Sequence, residues 1–410
     1  MKINLDRLEN DFNYINSISS TSIGCTRLSY SKEDKKVREY IIKELEMLNA
    51  QINIDSVGNI RAKFNPNKLN NKYLMIGSHI DTVYQGGKFD GLTGTLCSLE
   101  VMRVFNENKE KLNVPLEFVI FAEEEGSNFG VTMIGSKYMT KKITLDDLKN
   151  LFTKEKVSAY DYIQQMGFEF HPEKDDFVDK ENELAMIELH VEQGGILDKK
   201  KMSIGIVETI VGMNTLEVTV KGVSNHAGTT PMDYRKDSLL ASAEMIRSLP
   251  RLVEDLANAV ITVGKIDVKP NSSNVIAAET IFSVDIRDVR QDNIERISER
   301  VNEICERIAK EKNVDVKIKL IGSSKPVNMD QDLIRIIEEQ VLLSNINYIR
   351  MNSGAVHDNA MLNDIIPTAM IFIPSIDGIS HSPYEQTKME DVLIGAEILL
   401  NTVNKINRRG

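Results

Sequence analysis

Cysteine is scarce in this sequence, which has three cysteines among 410 residues. Cys25, Cys97 and Cys305 lie far apart and form no CxxC pair, which argues against a thiolate zinc site and against a disulfide scaffold. This usage is typical of a protein from a reducing compartment. We therefore expect a cytoplasmic protein.

Long apolar runs and an excess of basic residues are also missing. The strongly apolar stretch 365–374 is half of the roughly 20 residues that a membrane-spanning helix needs, and the N-terminal segment carries charges where a signal peptide needs an apolar core. The formal net charge is −11, with acidic and basic residues interspersed, unlike a nucleic-acid-binding protein. We expect no membrane and no nucleic-acid partner.

The composition that remains is that of a globular protein, with 41% hydrophobic and 27% charged residues. A chain of 410 residues is too long for one ordinary hydrophobic core. The length therefore predicts two domains.

The first part of the chain alternates between helical and strand patterns. Ser31 has the spacing of a helix N-cap before an apolar helical repeat over 37–48, and 95–106 also has a helical pattern. The short apolar runs 73–77 and 116–121 are typical of buried strands. Strands and helices in this order predict an α/β layer architecture with a largely parallel or mixed sheet.

From about residue 209 the pattern changes to that of an α+β unit. The order βαββαβ is predicted from a strand at 215–221, a helix at 236–249, strands at 260–268 and 280–287, a helix at 293–312 and a strand at 314–320. Such a unit can form its own core. We therefore expect a domain at 209–323 inserted into a discontinuous domain of 1–208 and 324–410, whose last part holds a strand at 368–373 and a helix at 389–405.

Candidate catalytic side chains follow the predicted strands. The chain has six histidines, and His79 lies directly after the strand at 73–77, in GSHIDTV. Asp81, two residues later, has the spacing to orient the His79 imidazole through its second nitrogen, a usual arrangement around a metal ligand. Asp90 lies in GGKFDG, whose glycines let the backbone turn tightly around a small site.

Further candidate donors follow in the same way. The strand at 116–121 leads into the acidic run 123–125, His190 lies in ELHVEQGG and His381 lies in GISHSPYE. Each of them alone is explained as well by a turn, a solvated loop or a structural histidine. Together, imidazoles and carboxylates after strands favour a mixed nitrogen and oxygen site suited to zinc or manganese. His171, in FHPEKDD, has no neighbours that support a metal-binding role, and we expect it in a surface loop.

The ordered segments GSHIDTV, GGKFDG, EEEGSNFG, ELHVEQGG, SNHAGTTPM and GISHSPYE resemble those of the hydantoinase/carbamoylase family of amidohydrolases. That family contains N-carbamoyl-L-amino acid hydrolases, allantoate amidohydrolases and β-ureidopropionases, and it belongs to a wider group of two-metal exopeptidases. The resemblance covers nearly the whole chain. It implies a di-metal α/β catalytic domain interrupted by a smaller α+β, ferredoxin-like lid domain that also dimerises.

The resemblance also implies two divalent metal ions bridged by Asp90. Zinc and manganese are the first candidates, and cobalt and nickel are alternatives. One ion would be held by His79 and His190 and the other by Glu125 and His381. The resemblance implies these five residues as the set, and the spacing of the motifs does not assign each ligand to an ion.

The same resemblance assigns roles around the metals. Glu124 matches the general base, and His226 matches the residue that contacts the developing oxyanion. Arg287 matches a residue that binds the substrate carboxylate, although its position in DIRD equally suits an ion pair with Asp285 or Asp288. The substrate-binding positions implied are Gln193, Asn274, Arg287, Gly354 and Ala355.

Three positions depart from the family pattern without touching a metal ligand. Asn128 stands where many relatives have arginine, Val356 stands where glycine is common, and Ala277 stands where proline is common. They leave the hydrolytic chemistry intact and leave the choice of substrate open.

The sequence therefore predicts hydrolysis of the ureido C–N bond of N-carbamoyl-L-amino acids, with a small ureido carboxylate as substrate. The alternatives are an allantoate amidohydrolase with the same residues, then a β-ureidopropionase, an aminoacylase or a dipeptidase. A non-catalytic binding protein is disfavoured, because it would be expected to lose a ligand or the base. The open edge of the lid sheet predicts a homodimer, since exposed strand edges readily pair.

Overall fold

The structure is a computed structural model that describes residues 1–65, 72–108 and 112–409. The chain divides into two compact units, Met1–Glu208 with Met329–Gly410, and Thr209–Asn328. The helices are α1 (Leu5–Asn16), α2 (Lys32–Met47), α3 (Leu92–Asn108), α4 (Ile134–Met139), α5 (Leu145–Leu148), α6 (Ala159–Gln165), α7 (Ile196–Lys200), α8 (Ser238–Ser248), α9 (Gln291–Lys312), α10 (Gln331–Leu343), α11 (Asn359–Leu362) and α12 (Met389–Asn407). The strands are β1 (Gln51–Ile54), β2 (Ile60–Phe64), β3 (Tyr73–His79), β4 (Leu116–Phe121), β5 (Glu183–Val191), β6 (Ile204–Ile210), β7 (Gly212–Lys221), β8 (Val260–Thr262), β9 (Ile266–Lys269), β10 (Glu279–Asp288), β11 (Asp315–Ser324), β12 (Val327–Asn328), β13 (Tyr348–Ser353) and β14 (Thr368–Ile373).

The larger sheet is mixed, as the sequence predicted. Its strand order is β1-β2-β4-β3-β5-β14-β6-β12, and β13 also pairs with β6. The four central strands β4, β3, β5 and β14 are parallel neighbours and almost entirely buried. Parallel strands that are covered on both faces appear in a sequence as continuous apolar runs. For this reason β4 and β14 have the bounds that the sequence predicted.

The carboxyl ends of the central strands meet at one edge of this sheet. His79 ends β3 and is in register with Phe121, which ends β4. His190, next to the end of β5, is in register with Phe372 of β14. Sites in open α/β sheets lie at this edge because the loops that leave neighbouring strands converge there. The fold thus brings the loops after β3, β4 and β5 together.

The helix N-cap that the sequence predicted at Ser31 is confirmed, and α5 and α6 begin with caps of the same kind. The side chains of Ser31, Thr144 and Ser158 each accept a hydrogen bond from the backbone N–H three residues later, at the starts of α2, α5 and α6. The three cysteines are buried and unpaired. Within the described ranges, no helix has the length and apolar character needed to cross a bilayer.

The unit Thr209–Asn328 is built on an antiparallel sheet of five strands. The strand order is β11-β7-β10-β8, and β9 also pairs with β10. Apolar residues of α8 and α9 form a core with apolar residues of the sheet. Buried and less buried residues alternate along β7 and β10, because one face of each strand is covered by this core.

One strand prediction in this unit is wrong. The predicted strand 260–268 is divided into β8 and β9, with Gly264 between them. Across the break, Lys265 donates its N–H to Ser283 Oγ at 3.1 Å, and Ser283 donates its N–H to the Lys265 carbonyl at 3.1 Å. A glycine inside a strand often marks such an irregularity, because it lacks a side chain to pack.

Candidate metal centre and active site

The five candidate metal ligands form two groups that share Asp90. In the first group, Asp90 Oδ1 lies 3.7 Å from His79 Nε2 and 3.3 Å from His190 Nε2. In the second, Asp90 Oδ2 lies 3.2 Å from His381 Nε2, which lies 3.3 Å from Glu125 Oε2. The two oxygens of one carboxylate therefore face two different sets of donors.

The donor atoms fit divalent cations. In each group they lie within 4.8 Å of one another, and imidazole nitrogens mixed with carboxylate oxygens suit Zn²⁺ and Mn²⁺. His79 Nδ1 lies 3.0 Å from the Asp81 carbonyl, and His190 Nδ1 lies 2.9 Å from the Val191 carbonyl. In the neutral rings Nδ1 therefore carries the proton, and Nε2 is the acceptor on the side of Asp90.

Asp81 connects His79 with the acidic run 123–125. One of its oxygens lies 3.5 Å from His79 Nδ1. Its two oxygens also accept the backbone N–H groups of Glu124, at 3.4 Å, and of Glu125, at 3.1 Å. This buried carboxylate thus fixes the backbone of both glutamates relative to His79.

Glu124 lies beside the first donor group without belonging to it. Its Oε2 is 3.8 Å from His79 Nε2. Burial raises the pKa of the Glu124 carboxyl well above its usual range. A carboxyl in this position can accept a proton from a reacting group and hold it.

The close packing of carboxylates and imidazoles also shifts the pKa values of the other groups in the centre. Burial, followed by the nearby charge of Asp90, raises the pKa of Glu125 to about 8. The hydrogen bond to Asp90 raises the pKa of His381 to about 9. Burial lowers the pKa of His79, but the charges of Glu124 and Asp81 outweigh it and raise that pKa well above its ordinary value. Divalent cations neutralise the same carboxylate charge by displacing such protons.

The loop before α3 leaves room for the imidazoles. Gly91 has a φ of +61°, and a Cβ at this position would overlap the His79 ring. Its N–H lies 3.3 Å from His190 Nε2. A glycine is therefore needed at residue 91 for both conformational and steric reasons.

Among the predicted substrate-binding residues, Gln193 lies within the centre. Its Nε2 is 2.8 Å from Asp90 Oδ2 and 3.3 Å from His381 Nε2. The Gln193 side chain thus contacts two ligands of the second donor group.

Gly354 and Ala355 lie in a turn next to the candidate metal ligand His190. Ser353 Oγ is 2.7 Å from the Ala355 carbonyl and 3.0 Å from His357 Nε2. The His357 ring packs edge-on against His190, with 4.6 Å between ring centroids. This packing holds the turn against the first donor group.

His226 and Asn274 lie together in the unit Thr209–Asn328. An isolated β-bridge joins His226 to Val275, the residue after Asn274. His226 Nδ1 accepts the backbone N–H groups of Gly228, at 3.0 Å, and of Thr229, at 3.2 Å. The neutral imidazole therefore carries its proton on Nε2, where it can donate outward.

Arg287 forms the ion pair that its sequence position also allowed. Its Nε lies 2.7 Å from Asp285 Oδ1 on the same strand, β10. Arg287 and Asp285 are both partly exposed.

Of the three departures from the family pattern, Asn128 has the clearest structural role. Its N–H and Nδ2 donate to the Glu123 carboxylate at 2.7 and 2.6 Å, and Nδ2 also donates to the Ser29 carbonyl at 2.9 Å. Asn128 therefore closes the turn around the acidic run. Ala277 is buried and accepts a hydrogen bond from Ser238 Oγ through its carbonyl, and Val356 is half-buried.

Three buried residues beside the centre escaped the sequence analysis, namely His357, Glu188 and Glu385. Glu188 accepts a hydrogen bond from Ser78 Oγ at 2.6 Å, and burial raises its pKa to about 8. Glu385 ends the segment GISHSPYE, so the motif that identified His381 also contained the signal for Glu385. His171 is exposed between acidic neighbours, as predicted.

Comparisons with known proteins identify the family of this chain. The model of peptidase family M20/M25/M40 matches residues 75–405. An N-carbamoyl-L-amino-acid amidohydrolase of Paenarthrobacter aurescens is 30% identical over 408 residues, which are 99% of each chain. An allantoate amidohydrolase of Escherichia coli is 34% identical over 384 residues, covering 92% of this chain and 91% of the relative.

A solved structure of a hydantoinase/carbamoylase family amidase from Burkholderia multivorans superposes with a TM-score of 0.91. It is 30% identical and matches 98% of this chain and 97% of that chain. The predicted α/β class and the predicted family are both confirmed. The chain belongs to the peptidase family M20/M25/M40, whose enzymes are metal-dependent, and within it to the hydantoinase/carbamoylase amidohydrolases.

Proposed function

We propose that this enzyme hydrolyses the ureido C–N bond of N-carbamoyl-L-amino acids, using two divalent cations. The observation that carries the proposal is the pair of donor groups sharing Asp90, with Glu124 3.8 Å from His79 Nε2. It is supported by a relative, named an N-carbamoyl-L-amino-acid amidohydrolase, that aligns over 99% of both chains.

Each ion would be held by one donor group. His79, Asp90 and His190 would bind one ion, and Asp90, Glu125 and His381 would bind the other. Zinc or manganese suits these donors best, with cobalt and nickel as alternatives. When bound, the ions would polarise the ureido carbonyl and lower the pKa of water.

Glu124 would carry the proton between the reacting groups. It takes a proton from the attacking water and later gives it to the leaving nitrogen, so that one carboxyl acts first as base and then as acid. One water is consumed, and the carbamate that forms decomposes. The products are the L-amino acid, ammonia and carbon dioxide.

The remaining roles follow the resemblance to the family. His226 would donate from Nε2 to the oxyanion, consistent with the two backbone N–H groups at its Nδ1. Asn274, whose neighbour Val275 is bridged to His226, would bind substrate beside it. Arg287 would bind the α-carboxylate through parallel hydrogen bonds, exchanging its contact with Asp285 for the substrate.

Gln193, Gly354 and Ala355 would bind the rest of the substrate. Gln193 already contacts the second donor group through Nε2. The turn of Gly354 and Ala355 packs beside His190 through His357. A small ureido compound with a carboxylate would therefore meet donors on several sides.

Allantoate hydrolysis is the second candidate, because an allantoate amidohydrolase is 34% identical to this chain. Initial rates on N-carbamoyl-L-methionine, allantoate, 3-ureidopropionate and N-acetyl-L-methionine test the choice. The proposal predicts the largest kcat/KM for N-carbamoyl-L-methionine. A larger value for allantoate would replace the first candidate by the second, and turnover of the acetyl compound alone would refute both.

We also infer that two copies pair through β11. This strand has β7 as its neighbour on one side and forms the end of the five-stranded sheet. Leu320 and Ile321, in the middle of this strand, are each 52% exposed. An unpaired strand edge with exposed apolar residues favours pairing with a second chain.

A further inference from the structure

Glu385 joins two loops that carry metal-ligand candidates and lie far apart in the sequence. Its Oε1 accepts the backbone N–H groups of Phe89, at 2.9 Å, and of Asp90, at 3.0 Å. Its Oε2 accepts the hydroxyl of Ser380, the residue before His381, at 2.9 Å. The side chain is buried, so water competes little for these hydrogen bonds.

Two carboxylate oxygens lie within hydrogen-bonding distance of the Ser380 hydroxyl. Its Oγ lies 2.9 Å from Glu385 Oε2 and 3.3 Å from Asp90 Oδ2. A hydroxyl donates one proton, and the shorter contact to Glu385 is the better hydrogen bond. The Ser380 hydroxyl therefore donates to Glu385, which ties the residue before His381 to this carboxylate.

The loop at Gly87 is shaped to receive this carboxylate. A Cβ at Gly87 would overlap the carboxyl carbon and both oxygens of Glu385. The carboxylate thus packs directly on the backbone two residues before Phe89. A side chain at residue 87 would displace it.

We propose that Glu385 is a positioning residue that sets the affinity of the second metal ion. Asp90 and His381 both lie on loops that Glu385 ties together, and they are two of the three donors of the second group. His79 and His190, in contrast, lie in β3 and β5 and are positioned by the sheet. Loss of Glu385 should therefore weaken the ion at Asp90, Glu125 and His381 more than the ion at Asp90, His79 and His190. The inference rests on the metal centre of the proposed function and is independent of the substrate.

The decisive variants differ in which hydrogen bonds they keep. Glu385→Ala removes all three. Glu385→Gln keeps an oxygen for the N–H groups of Phe89 and Asp90, and it turns its amide nitrogen toward Ser380, which then acts as acceptor. Glu100→Ala is the matched control. Glu100 is a fully buried carboxylate on α3 that accepts hydrogen bonds from the N–H of Asn4, the residue before α1, at 3.1 Å and from Arg7 Nε of α1 at 2.7 Å.

The test is calorimetric titration of the full-length, chelator-stripped chain with Zn²⁺ or with Mn²⁺ alone. The wild type should bind two ions per chain. Glu385→Ala should weaken the second ion by at least about 10-fold, the lower end of the loss usual for partners that orient metal ligands, with a smaller loss for the first ion. Glu385→Gln should retain most of the wild-type affinity for the second ion, and Glu100→Ala should leave the affinities for both ions unchanged.

Gly87→Ala provides an independent variant that leaves Glu385 itself in place. It should reproduce the selective loss of the second ion, because the new methyl group displaces the carboxylate. Unchanged affinities in Glu385→Ala or in Gly87→Ala, equal losses for both ions, or the same loss in Glu100→Ala would overturn the inference. A wild type that binds two ions but hydrolyses no ureido compound would instead refute the proposed function alone.

Discussion

Replacing Glu124 or Glu125 by glutamine distinguishes the proposed base, Glu124, from the proposed metal ligand, Glu125. The substitution preserves size and shape, and both residues keep the backbone N–H groups that Asp81 accepts. The two glutamates nevertheless differ in position. Glu125 Oε2 belongs to a donor group and lies 3.3 Å from His381 Nε2, whereas Glu124 Oε2 lies outside both groups.

The expected effects differ accordingly. Without a carboxylate at residue 124, no positioned base removes the proton of water, and kcat should fall by at least about 10²-fold. This factor corresponds to about 2.7 kcal/mol in the activation free energy. Two ions per chain should remain bound. In Glu125→Gln one of the three donors of the second group becomes a neutral amide, so the metal content should fall toward one ion per chain.

Two measurements on the same preparations distinguish these outcomes. Ammonia release from saturating N-carbamoyl-L-methionine gives kcat, and elemental analysis after dialysis gives ions per chain. Adding excess metal should restore part of the activity of Glu125→Gln and none of that of Glu124→Gln. A metal content that is reduced in Glu124→Gln and normal in Glu125→Gln would show that the two roles are reversed.

Dialysis against a chelator should abolish hydrolysis, and Mn²⁺, Co²⁺ or Zn²⁺ should restore it; a stripped chain with full activity would contradict the metal centre. The pKa of His381 is raised to about 9 and that of Glu125 to about 8, so both donors bind protons below these values. Metal affinity should therefore rise with pH through this range, and metal binding should release protons to the buffer in calorimetry. An affinity independent of pH would contradict this assignment. His226→Ala should keep its metals and lower kcat by roughly 10²–10³-fold, the usual loss of an oxyanion donor; an unchanged kcat would refute the oxyanion role of His226. Arg287→Ala should mainly raise KM, since a carboxylate contact stabilises ground and transition states alike; an unchanged KM would refute the substrate-binding role of Arg287. Light scattering should give twice the chain mass of 46.3 kDa, and a fully active monomer would refute pairing through β11.

Local patterns in the sequence were sufficient to predict a helix start and two buried strands. Ser31 caps α2 because its hydroxyl lies within one turn of the free N–H three residues later. The strands β4 and β14 were predicted to the residue, because strands buried on both faces leave uninterrupted apolar runs. By contrast, the pattern over 260–268 did not reveal the break at Gly264, which depends on pairing with Ser283 on another strand.

The donor residues of the centre were predicted from the sequence as well, because imidazoles and carboxylates after predicted strands together favoured a metal site and the family resemblance implied which five they are. Tertiary structure decided how they are combined. Asp90 directs one oxygen to each donor group because β3, β4 and β5, which are dispersed along the chain, lie side by side in the sheet. Glu385 reaches the Asp90 N–H across 295 residues of sequence, a contact that no local periodicity encodes. Such contacts depend on which loops the folded sheet brings to the same edge, and that order is established only when the chain closes on itself.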